Sequence, residues 1–106
     1  MKTFLFQGDS ITDAGRNYEL DHVRGIGYAT MASGELLLDY PGEFEILNRG
    51  ISGNRIVDLY ARIKADCWNH KPDFISILIG VNDIWHEIGS ENGVELERFI
   101  RVYDML

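Results

Sequence analysis

The run Phe74-Ile75-Ser76-Ile77-Leu78-Ile79, set between Pro72-Asp73 and Gly80, is the strongest constraint on the fold. Its nearly continuous apolar character is typical of a parallel strand covered on both faces. Two shorter runs precede it, Thr3 to Gln7 ended by Gly8, and Phe44, Ile46 and Leu47 ended by Asn48-Arg49-Gly50. Both read as brief strands closed by turn residues. Between and after the strands, apolar residues recur at helical spacing. Tyr28, Met31, Ala32 and Leu36 form one set, stopped by Pro41-Gly42. Ile56, Leu59, Tyr60, Ile63 and Cys67 form a second stripe, at i, i+3, i+4, i+7 and i+11. Leu96, Phe99, Ile100 and Tyr103 form a third. Gly8 to Gly27 reads as a turn and a long loop. The order βαβαβα predicts an open parallel sheet with helices packed on it.

A chain of 106 residues has room for one small domain. Three strands are few for such a sheet, and a bare apolar edge beside the third would invite pairing with another chain. The expectation is therefore that residues 1–106 are the N-terminal part of a single larger α/β domain. Either further strands complete the sheet, or self-association through its exposed edge does. Seventeen acidic against ten basic residues give a net charge of −7. That balance argues against nucleic acid or an anionic membrane as partner. Cys67 is the single cysteine, so neither an internal disulfide nor a paired-cysteine metal site can form. The apolar run at the amino terminus ends at Gln7, too short for a signal peptide or a membrane span. The expectation is a soluble, cytoplasmic protein.

In open α/β sheets ligands bind beyond the carboxyl ends of the strands. There the sequence offers Gly8-Asp9-Ser10-Ile11-Thr12, then Asn48-Arg49-Gly50-Ile51-Ser52-Gly53-Asn54, then Gly80-Val81-Asn82-Asp83. A serine presented at a sharp turn, a glycine amide free of side chain and an asparagine carboxamide are the groups acyl transfer needs. The hydroxyl attacks a carbonyl, and the donors hold its oxygen as negative charge develops.

These three segments resemble the sequence blocks of the GDSL esterases and lipases, also called the SGNH hydrolase superfamily. The resemblance covers nearly the whole chain and keeps the order and spacing of the blocks. It implies a flavodoxin-like three-layer sandwich, here its first three βα units. Ser10 would be the nucleophile, with the amides of Ser10 and Gly53 and the side chain of Asn82 forming the oxyanion hole. The substrate would be a small ester, with an acetylated carbohydrate as one candidate, and no cofactor or metal is implied. One block is missing. The family's Asp-x-x-His supplies the general base, and of the three histidines only His86 has an aspartate three positions before it. Asp83-Ile84-Trp85-His86 directly follows the third block, whereas the family's pair lies far later. Asp83 and His86 are therefore read as loop residues near the pocket, with Asp9 and Trp85 beside them.

Other readings are weaker. Gly25-Ile26-Gly27 follows no strand, and Thr30 stands at the third glycine position of a dinucleotide fingerprint. No serine lies in Gly-x-Ser-x-Gly. Asp9, Asp13 and Asp83 read as turn or helix caps before metal ligands. Tyr28 reads as packing. The rival functions are a non-catalytic binding module and a flavodoxin-like phosphate or nucleotide binder that uses Gly8 to Thr12 as an anion nest.

Overall fold

The computed structural model describes residues 1–106. Strands β1 (Lys2–Gly8), β2 (Phe44–Asn48) and β3 (Phe74–Leu78) form one parallel sheet in the order β2-β1-β3. The helices are α1 (Ser10–Asp13), α2 (Tyr28–Asp39), α3 (Ile56–Ala61), α4 (Ile63–Asp66), α5 (Val81–Ser90) and α6 (Leu96–Met105), with a 3₁₀ turn at Trp68–His70.

The strand period of two sorts the core. Phe4 and Phe6 of β1 point with Ile46 and Phe44 to one face, where Ala29, Leu36 and other residues of α2 cover them. Leu5 points with Leu47 to the other, against Cys67 and Ile63. Leu5 and Cys67 are fully enclosed, and burial pushes the Cys67 thiol pKa up. A third cluster joins Ile56 of α3 to Val94 and to Val102 of α6, with Phe99 and Ile79 against it. The result is a three-layer α/β sandwich with β1 at its centre.

Three expectations are corrected. β3 is not covered on both faces. It pairs only with β1, and Phe74, Ile75 and Leu78 remain 45%, 47% and 44% exposed. The stripe from Ile56 to Cys67 is not one helix. It breaks at Arg62, whose guanidinium reaches the sheet edge, donating to the carbonyls of Arg49 (2.8 Å) and Gly8 (3.3 Å) and to Asn54 Oδ1 (2.7 Å). Third, residues 81–90 are helix α5 rather than loop, so Asn82, Asp83, Trp85 and His86 stand on a helix. No helix is long and apolar enough to cross a membrane.

Candidate active site

Because the sheet is parallel, all three strands deliver their carboxyl ends to one edge. β1 ends at Gly8, where a Cβ would stand 2.2 Å from Thr12 Oγ1 and 2.6 Å from the Leu78 carbonyl oxygen. Only glycine fits so close an approach. Asp9 follows, buried in a non-helical conformation, and its Oδ1 accepts the Ile11 amide at 3.0 Å. It is the N-cap of α1, in line with the sequence reading. Ser10 is thereby the first residue of α1, and its side chain is exposed. At that position a backbone amide has no intrahelical acceptor.

The segment after β2 is laced onto this turn. Arg49 donates its amide to the Phe6 carbonyl at 2.8 Å, and Ile51 to the Gly8 carbonyl at 3.0 Å. The buried Asn48 side chain donates to the carbonyls of Thr12 (2.7 Å) and Arg24 (2.9 Å) and accepts the Gly50 amide (3.0 Å). Asp13, which the sequence suggests as a cap, instead accepts both the amide and the hydroxyl of Ser52, at 3.0 and 3.1 Å. Gly53 follows in the left-handed region, φ 85°. Its amide donates to no group of the chain, and the space around its α-carbon is open.

The third strand end supplies Gly80 (φ 139°) as the entry to α5. The buried Asn82 donates its side-chain amide to the Asn54 carbonyl at 3.1 Å. One amide hydrogen suffices for that bond, which leaves the second free. Asp83 is also buried, and both its oxygens take the Ile56 amide, at 3.0 and 3.3 Å. Burial raises its pKa, against the Ile56 hydrogen bond and the nearby Arg55 charge. Asp83 therefore caps α3 and does not orient His86. Asp58, by contrast, has its pKa lowered despite burial, chiefly by hydrogen bonds from Arg55. Trp85 is 66% exposed. Tyr28 packs edge-on to Phe6 while its hydroxyl meets Thr12 Oγ1 at 2.7 Å, which fits the packing role.

Hydrogen bonds of neighbouring residues thus link the segments that carry Ser10, Gly53 and Asn82, from Ser52 to Asp13 of α1 and from Asn82 to Asn54, while Trp85 lies out on the exposed face of α5. Sequence reasoning missed Ser52, Asn54 and Arg62, which carry the ties between segments. Their partners are remote in sequence, so no local pattern announces them. The largest hollow, about 430 Å³, is lined by Met1, Lys2, Tyr40, Gly42, Glu43 and Phe44 at the opposite end of the sheet. No three His, Cys, Asp or Glu side chains gather as a metal-binding group.

Comparison with known proteins gives consistent results. The sequence profile of the GDSL-like Lipase/Acylhydrolase family matches residues 6–105. An acetylxylan esterase of Geobacillus stearothermophilus is 43% identical over 88 residues, which is 78% of this chain and 40% of that protein. A crystal structure of an acetylxylan esterase from the same organism superposes with a TM-score of 0.90 at 36% identity, over 98% of this chain and 52% of that one. A protein of Parabacteroides merdae described as a GDSL-like lipase superposes with a TM-score of 0.93 at 37% identity, over 98% of this chain and 50% of the other. The chain spans about half the length of these relatives.

Proposed function

The chain belongs to the GDSL-like lipase/acylhydrolase family, and from that premise we propose that it carries the nucleophile and oxyanion hole of a serine ester hydrolase. Ser10 Oγ attacks the ester carbonyl carbon. The oxygen of the tetrahedral intermediate accepts the amides of Ser10 and Gly53 and the free hydrogen of the Asn82 carboxamide. Collapse expels the alcohol and leaves an acyl group on Ser10, which water removes. The observation that carries this reading is the position of the Gly53 turn. It is tied on one side to the helix of Ser10 through Asp13 and on the other to Asn82 through the Asn54 carbonyl.

A serine hydroxyl needs a base to take its proton. No histidine or carboxylate of the chain hydrogen-bonds Ser10, and Asp83 is engaged with Ile56. We therefore assign the base to a segment outside these 106 residues, and residues 1–106 to one part of a single catalytic domain. The substrate class is an acetyl ester on a carbohydrate, by likeness to the Geobacillus acetylxylan esterase.

The test is Ser10→Ala in the full gene product. Hydrolysis of p-nitrophenyl acetate and labelling by a fluorophosphonate probe should both vanish, while the circular dichroism spectrum stays unchanged. Persistent labelling of the variant overturns the assignment of Ser10. The chain of residues 1–106 alone should hydrolyse the ester hardly faster than its own Ser10→Ala form. Full turnover that depends on His86 overturns the assignment of the base.

A further inference from the structure

Two charged side chains close to Ser10 are almost wholly buried, Asp13 (4% exposed) and Arg16 (8% exposed). Buried charges are costly unless hydrogen bonds satisfy them, so what they hold is informative. They form no salt bridge with each other. Asp13 directs a single oxygen, Oδ2, at the amide and hydroxyl of Ser52 and at the hydroxyl of Tyr18. Arg16 donates Nε to the Gly50 carbonyl at 2.6 Å and lies 3.8 Å from the centre of the Tyr18 ring. Its Nη1 is buried without a partner.

Both therefore grip residues just ahead of Gly53. Gly53 itself has a positive φ, no packing neighbour and the freedom of glycine, so nothing at its own position fixes its amide. Its direction is set by the residues on either side. Asn54 is held by Asn82 and Arg62, and Ser52 is held by Asp13. We propose that Asp13 and Arg16 are positioning residues, which clamp the Gly50–Ser52 turn to the helix of Ser10 so that the Gly53 amide is already aimed at the developing oxyanion. This rests on the esterase reading above. An oxyanion donor acts fully only when its orientation costs nothing at the moment of reaction. Misplacement by about 1 Å costs on the order of 10²-fold in rate. The clamp should therefore matter to kcat and little to KM.

The experiment compares Asp13→Ala, Asp13→Asn, Ser52→Ala and Ser10→Ala in the full gene product, by p-nitrophenyl acetate kinetics and by amide hydrogen exchange of residues 50–54. Asp13→Ala should lower kcat by about 10–10²-fold at nearly constant KM and speed exchange in the turn, with the β1 amides unchanged. Asp13→Asn keeps an acceptor oxygen at the same place and should restore most of kcat, which a role resting on charge or stability alone would not give. Ser52 is exposed, so Ser52→Ala folds even where Asp13→Ala does not, and should cost about two- to tenfold. A kcat for Asp13→Ala within twofold of the unaltered protein, a loss confined to KM, or equal damage from Asp13→Asn overturns the clamp. Retained activity in Ser10→Ala overturns the esterase reading instead. Unchanged exchange in the turn of Asp13→Ala then still rejects the clamp.

Discussion

The two sides of β1 are built differently. Toward β2, apolar packing and hydrogen bonds reinforce each other. Leu5, Phe6, Ile46 and Leu47 are buried between α2 and α4, and the strand ends beyond them are laced together through Asn48, Asp13 and Arg62. Toward β3, apolar surface is left in solvent. Phe74, Ile75 and Leu78 are about half exposed, as is Ile100, and Ile84, Trp85, Ile88 and Leu96 are more than 60% exposed. Single exposed apolar residues are ordinary, and on this side they recur along one strand and two helices. The lesson is that Asp13 holds the Gly53 turn from the β2 side, while Asn82 and Asp83, which follow β3, hold the residues just beyond it.

The largest test of this contrast is a matched pair of truncations. Leu5→Ala should destabilise the chain by about 2–5 kcal/mol, since Leu5 is fully enclosed. Ile75→Ala, on a strand open to water, should cost less than about 1 kcal/mol in urea unfolding, because it leaves no sealed cavity. Equal losses would erase the distinction between the two sides. Next is Asn82→Ala in the full gene product. Removing one oxyanion donor should lower kcat by about 10²–10³, with KM little changed, and a pure KM effect would reduce Asn82 to a binding group. Ile75→Lys comes third. Light scattering should find the 106-residue chain associating through its open edge, and a lysine there should return it to monomer, as charged edges do. A monomer without the lysine would mean that the edge is silent.

The smallest effect is that of pH. Asp13 is buried, which alone would raise its pKa, but hydrogen bonds from Tyr18 and Ser52, with Arg16 nearby, leave it below the ordinary carboxylate value of 3.8. A carboxyl with a lowered folded pKa adds stability at pH above its unfolded value. That stability is lost as pH falls through the folded one. Acid unfolding below pH about 4 should therefore be shallower in Asp13→Asn than in the unaltered chain, as thermal melts across pH 2–5 would record. Identical acid limbs would mean that protonation of Asp13 does not weaken its hold on Ser52.

The same contrast separates what the sequence made legible from what it did not. The strands were readable because glycine or proline brackets each apolar run, and the observed limits fall within a residue or two of the expected ones. Helix α5 was missed because Gly80-Val81-Asn82-Asp83 looks like a turn. Yet Val81, Ile84, Trp85 and Ile88 already carry a helical stripe, and it lies in solvent where it packs nothing. Of the candidate site, Asp9, Ser10 and Asn82 stand in the turns that follow strands, and the resemblance to the family singles out Gly53. Asp13 could not, because its partner Ser52 lies 39 residues away and neither position breaks a local pattern. Arg62 was hidden for a similar reason, since its bonds to the sheet edge override the helical stripe it interrupts.

The central place of β1 also sets a timetable for the chain. Of the three strands, the one made first is the one both others need, and Phe4 meets its partner Phe74 only after 70 further residues have been made. At roughly 5–20 residues per second that is a wait of about 4–14 s. Through it, Leu5 and Phe6 have no finished sheet to enter, and loop closure over such a span is slow in itself. Until Phe74 emerges, the nascent chain can form the β2-β1 pair with α2 on one face and α4 on the other, so those elements would be the earliest surface a chaperone could meet.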